Sequence, residues 1–380
     1  MKTTLMMVLI AGLLFAGCSR DTKYTVDNSS SLFMKKNTAF NDFEDLASPK
    51  FAALRGKYQL DTIFHGEQDE FRRQLLLRNW IRTIIRIGDF EPSYPGNDFA
   101  ENILDEAIKG QGYHCGHYMV VQNAVMNSFG FVTRCLGAGP GVKGGPDGHH
   151  GVNEIWSNKF QKWYLSDAKY NHHFEKNNIP LSALEIREEY LRNKAADVAL
   201  VKGPARTPIE SDGVANAKGV MIQKTRADFA QTYTWIAWES YNDRYTNWPE
   251  SGKHVSILNM YEDEYFKNNT WIWDGKPHWA YNVKDHLIRV PDRNAIEWTP
   301  NTIQSNVEIE DRIAHIQLES ETPNLKGYEM KKASDNEWQE VAPALDFELT
   351  GDREEFLFRA VNLAGVDGPE HRIVIAQEAQ

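Results

Sequence analysis

GQGYHCGHYMVVQNAVMNSFG, residues 110–130, is the stretch on which the reading of this chain turns. Gly110-Gln111-Gly112 reads as a tight loop. After Gly116 the chain runs without Gly or Pro until Gly130, with apolar side chains nearly all round. The pattern predicts a buried helix with Cys115 in its first turn and Gly130 as a left-handed stop. A cysteine at that place is chemically advantaged, because the partial positive charge of a helix N-terminus favours the thiolate, which is the nucleophilic form.

Working outward, FVTRCLGAG (131–139) predicts a strand, and GAGPGVKGGPDG (137–148) predicts a glycine-rich loop at its end. HHGVNEIWS (149–157) and KWYLSDAKY (162–170) predict an antiparallel hairpin turning around Asn158-Lys159-Phe160. Alternation puts His150, Val152, Glu154 and Trp156 on one face of the first strand, and Trp163, Leu165 and Asp167 on one face of the second. Pairing Trp156 with Gln161 sets His150 opposite Asp167, and a slip of two residues makes them diagonal neighbours. In either register the Cβ atoms lie within roughly 5 to 8 Å. Cys115, His150 and Asp167 are therefore the expected nucleophile, base and orienting carboxylate, and His149 is expected on the opposite face. The backbone N–H of Cys115, with Gln111 or a nearby aromatic N–H as a second donor, is the expected oxyanion site.

These residues resemble a known family. C-G-H-Y (115–118), G-F-V-T-R (130–134), G-H-H-G-V-N-E-I-W (148–156) and K-W-Y-L-S-D-A (162–168) are similar to the transglutaminase-like core, over roughly Asp61 to Tyr190. The resemblance implies an α+β, papain-like fold in which the Cys opens a central helix and the His and Asp lie on adjacent antiparallel strands. It also implies peptidase, acyl-transfer or amidase chemistry. Val152 departs from the pattern, since many members carry Trp two residues after the His. The upstream run DEFRRQLLLRNWIRTIIRIGDFEP, with Phe71, Leu75, Leu76, Trp80 and Ile84 at helical spacing, is expected to be an amphipathic packing helix.

Other readings of the same residues stay open in the sequence. Cys115 and Cys135 could form a disulfide, although Cys135 also fits a small buried hydrophobe in a strand. His114, His117, His149, His150, His172 and His173 lie near Asp147 and Asp167, but without the spacing of a zinc motif, so no metal and no cofactor are expected. His172 and His173 are expected to rim the cleft, and Arg134 with Glu154 to form a structural ion pair.

The chain opens with Lys2, an apolar run from Leu5 to Leu14 and Phe15-Ala16-Gly17-Cys18. This reads as a secretory signal too short to span a bilayer. The small residues before Cys18 resemble a bacterial lipobox, which implies cleavage there and lipidation of Cys18. Ser19 then implies an outer-membrane lipoprotein of the cell envelope, periplasmic or surface-exposed. The polar segment 18–47 is expected to be a flexible tether. A formal charge of −11, with no basic run, excludes nucleic acid as a partner.

After a core at 48–200, residues 201–298 are rich in large aromatics. They fit either a packed core or a groove for a glycan or peptide. Trp235 and Trp238 at helical spacing fit core, whereas Trp271, Trp273 and Trp279 around a turn at Asp274–Pro277 are the expected exposed platform. Residues 299–380 predict a small β-sandwich whose ending, FRAVNLAGVDGP, resembles a fibronectin type III module. The expected activity is cleavage or transfer of an amide acyl group of a peptide, protein or glycopeptide through a thioester. The alternative is an inactive glycan- or peptide-binding lipoprotein on the same scaffold.

Overall fold

The computed structural model describes residues 23–89, 99–140, 148–215, 221–247, 257–273 and 275–378. Cys18 and its signal segment lie outside the described residues, as do Asp147, Trp248 and Asp274.

The predicted central helix runs Cys115–Asn127 and buries every residue except Gly116. Gly130, at φ +76°, ends the turn that follows it. The helix packs on a six-stranded sheet whose order is Leu287–Val290, Leu258–Tyr261, Trp235–Glu239, Thr133–Gly139, His150–Ser157 and Lys162–Ser166. The first two strands pair in parallel and the others antiparallel. On one face, Ile155 joins a core formed with helices Pro49–Tyr58, Glu70–Ile84, Phe99–Ile108 and Cys115–Asn127. On the other, Val152 and Trp156 join a core that includes Leu184 of helix Ala183–Asn193 and Phe229 of helix Arg226–Thr232. The architecture is α+β, and the period-two reading of 150–156 matches the faces observed.

Of the two registers left open, the hairpin takes the slipped one and pairs Trp156 with Trp163, across a four-residue turn with Gln161 at φ +50°. A two-residue slip leaves every side chain on its own face, so alternation alone could not choose between the registers. Trp235 and Trp238 lie in a strand, not a helix, and at a spacing of three they enter the cores on opposite sides of the sheet. Residues 201–298 are not a separate extension, since Trp235–Glu239 pairs directly with Thr133–Gly139 and completes the same sheet.

Finally, the tether is built into the fold from Tyr24 onward. Tyr24–Asp27 pairs with the last strand, His371–Gln377, and Asn28, Ser30 and Ser31 bond to Ser305, His371 and Arg372. Several of its polar side chains bind protein. The last eighty residues form the expected sandwich. Sheets of Ile303–Glu310, Ile313–Ser320 and Ala344–Glu348, and of Leu325–Lys332, Arg353–Asn362 and their neighbours, share one core.

Trp271 is 2% exposed, contrary to the platform reading, whereas Trp273 and Trp279 are 44% and 39% exposed. Trp271 lies across the glycines that end Thr133–Gly139. A Cβ on Gly139 would come within 2.3 Å of its Nε1, and that nitrogen donates to the Gly148 carbonyl at 3.2 Å. The small residues that read as a loop signal are thus a seat for an indole. Trp271→Ala should lower unfolding free energy in a denaturant titration by about 3 to 5 kcal/mol, and Trp273→Ala by less than about 1 kcal/mol.

Candidate active site

Cys115 gains its position from the helix start. His114, in extended conformation, caps the helix with its own ring, Nδ1 accepting the Gly116 N–H at 3.2 Å. The first turn then lies against the start of the His150 strand. A Cβ on Gly151 would be only 3.2 Å from Gly116 Cα, so this approach requires glycine there and brings Cys115 beside His150.

His150, 5% exposed, uses Nε2 to reach Asp167 Oδ2 at 2.7 Å. This leaves Nδ1 as the ring nitrogen available to Cys115. In the observed register Asn153 faces Ser166, so His150 and Asp167 are the diagonal neighbours of the slipped hairpin. Asp167, 1% exposed, also accepts from the Tyr233 hydroxyl at 3.0 Å and from the Tyr170 backbone N–H at 3.1 Å. Tyr170 stacks on His150, with centroids 5.5 Å apart.

The electrostatics follow from these contacts. Burial pushes the Cys115 thiol up, but hydrogen bonds from His114, His149 and His150, with the charge of His150, outweigh it and hold the thiol well below its ordinary value. Burial pulls His150 down, yet Asp167 and then Cys115 raise it to about 9. For Asp167 burial raises the carboxyl, while the charge and hydrogen bond of His150 press it below the usual carboxylate range. Both shifts favour a thiolate beside an imidazolium, and the two groups titrate as a pair. Cys135 is the contrast: 0% exposed, with its pKa pushed well above ordinary by burial. Both cysteines are free thiols, so the disulfide reading is set aside.

His149 departs from expectation. It precedes the strand, which begins at His150, so alternation does not govern it, and it shares in the hydrogen bonding of Cys115. Its ring also stacks on the indoles of Trp273, at 4.6 Å, and Trp271, at 5.6 Å. His278 lies parallel to Trp271 at 3.8 Å and also stacks with Trp273 at 5.7 Å and His149 at 6.2 Å. Trp279 contacts His278 but no other member of this set. Gln111 sits before the short strand Gly112–Tyr113, and its side chain makes no hydrogen bond among the described residues.

His172 and His173 do not rim the cleft. They are 0% exposed in strand His172–Lys176, where burial lowers them to about 3 and about 4. Arg78 donates to the His172 carbonyl and lies 3.1 Å from His173 Nδ1, fixing the strand behind Asp167. Arg134 and Glu154 form the expected buried ion pair, at 2.6 Å. No group of three or more His, Cys, Asp or Glu side chains among the described residues is placed to hold a metal ion. Tyr233 and Arg78 were beyond sequence reasoning, because each acts across long sequence separations and belongs to no local pattern.

No protein-family model and no curated protein sequence matches the chain. A crystal structure of red sea bream transglutaminase is similar at 11% identity and a TM-score of 0.25, over 81% of this chain and 68% of that one. A likeness at that level carries no weight in assigning fold or function.

Alkylation of Cys115 by iodoacetamide should show an acid limb well below that of a free thiol. Asp167→Asn removes the charge that keeps His150 protonated, so thiolate formation should move to higher pH, by a unit or more. An unshifted rate profile would show that Asp167 does not hold the charge of His150.

Proposed function

We propose that this chain is a cysteine amide hydrolase or acyl transferase of transglutaminase-like type, anchored in the bacterial envelope through Cys18 and acting on a peptide, protein or glycopeptide amide. The observation that carries the reading is the pairing of a buried, depressed Cys115 thiol with His150, itself held by Asp167 at 2.7 Å.

In this reading the Cys115 thiolate attacks the amide carbonyl, and the helix N-terminus faces the developing oxyanion. His150 gives its proton to the departing amine, leaving a thioester on Cys115. Water, activated by the now neutral His150, attacks the thioester; a bond forms from water oxygen to the acyl carbon, the S–C bond breaks and the acid leaves. Tyr233 and Tyr170 stabilise the Asp167 charge throughout. Hydrolysis is preferred to transfer because water needs no dedicated site. The inactive-binder reading is less well supported, since burial alone would raise the Cys115 thiol as it raises Cys135, and three imidazoles reverse it.

Against a panel of peptide, isopeptide and glycopeptide amides, Cys115→Ala should abolish amine release, a loss of roughly 10³-fold or more. Mass spectrometry of the wild type should trap an acyl adduct on Cys115 and none on Cys135. Equal labelling of the two cysteines by a thiol probe would favour the binder. Cys18→Ala should move the protein from the membrane pellet to the soluble fraction, because stable anchoring takes more than one acyl chain. Retention in the pellet would remove the anchor from the proposal.

A further inference from the structure

A cavity of about 430 Å³ opens beside His150, and its walls carry Lys169, Tyr170, Lys224, Phe229 and Tyr233. Tyr170 and Tyr233 are the rings already placed around His150 and Asp167, so this space adjoins the reacting atoms. Its two lysines are unusual in a chain of charge −11. Both are half-buried, and neither has an ion-pair partner among the described residues.

The nearby acids each have another partner. Asp212 stands directly opposite Lys224 in the hairpin of Ser211–Ala215 and Met221–Thr225, but its carboxylate pairs with Lys202. Asp228, on the cavity wall, accepts from the Thr225 N–H and hydroxyl at 2.8 and 2.7 Å in a helix capping box. Asp167 is held by His150 and Tyr233. Each ammonium group lies near a ring, Lys169 Nζ 5.4 Å from the centre of Tyr170 and Lys224 Nζ 5.7 Å from that of Phe229. Neither makes an ion pair at contact distance among the described residues, although the charges of Asp228 and Asp167 act on Lys224.

We infer that Lys169 and Lys224 form an anion subsite, and that the amide substrate of the proposed reaction carries a carboxylate close to the scissile bond. The inference rests on Cys115 being the nucleophile. Two cations in a half-closed cavity repel one another and lose hydration, and an anionic substrate group restores both losses where it also positions the carbonyl. Burial and then Lys169 lower the pKa of Lys224 against the opposing pull of Asp228 and Asp167, so the nearby acids only partly offset the pair. An apolar or neutral substrate would leave these charges unmatched, which makes the pair a device for specificity as well as affinity.

The test uses two pairs of alkylating reagents: N-iodoacetyl-glycine with N-iodoacetyl-glycinamide, and the β-alanine pair one methylene longer. In every case the thiolate sulfur forms a bond to the reagent carbon and iodide leaves, so within a pair only the charge differs. In the wild-type protein at low salt, the carboxylate member of at least one pair should label Cys115 about tenfold faster than its amide, and added salt should erode the preference. Lys169→Met with Lys224→Met should bring the ratio to about one or below. Replacing both lysines with Arg should retain it. A wild-type ratio near one in both pairs, or a preference that survives the double Met variant, overturns the inference. The absolute rate with the amides, compared with a free thiol at the same pH, reads the activation of Cys115 separately, so failure of the catalytic reading is distinguishable from failure of the subsite.

Discussion

Everything at the centre of this protein depends on keeping one carboxylate charged where water does not reach it. Burying an unpaired charge is costly enough that a lone Asp would take up a proton instead. Asp167 escapes that outcome through His150, the Tyr233 hydroxyl and the Tyr170 N–H. In return its charge raises the pKa of His150, and His150 lowers that of Cys115. The three protonation states are one linked arrangement. Arg78, Tyr233 and the turn at 167–172 serve it at one or two removes, by holding the backbone and the oxygen atoms in place.

Part of this arrangement is legible in the residue order. The helix beginning at Cys115, its end near Gly130 and the alternation along 150–156 need only local rules, and those are strong here because burial is nearly complete. The hairpin register is not legible, since pairings two residues apart satisfy the same alternation. Alternation places His149 on the far face only if the strand includes it, and the strand begins one residue later, at His150. Tyr233 reaches Asp167 across 66 positions of sequence, and no periodicity or spacing announces such a contact.

The aromatic region shows the limit of composition most clearly. The rings between Trp235 and Tyr281 do two jobs that density alone cannot separate. Trp235, Trp238 and Trp271 fill cores, while Trp273 and Trp279 remain exposed. The division follows the sheet: a strand with both faces covered buries both its tryptophans, and a short hairpin resting on glycines buries one and presents the other. The stacked rings of Trp273, His149, Trp271 and His278 also join this hairpin to the hydrogen-bond shell of Cys115.

The pairing of Tyr24–Asp27 with His371–Gln377 bears on how the chain acquires its structure in time. The hydrogen bond from Thr25 to Ala376 closes a loop across 351 positions, and the entropy lost in closing a loop rises with its length. The first described strand has no partner until the last one has been synthesised. The helices and the Cys115 sheet are built from contacts within the earlier sequence, so they can form while the sandwich is still incomplete. The pairing of Tyr24–Asp27 therefore cannot form before the strand His371–Gln377 has been made.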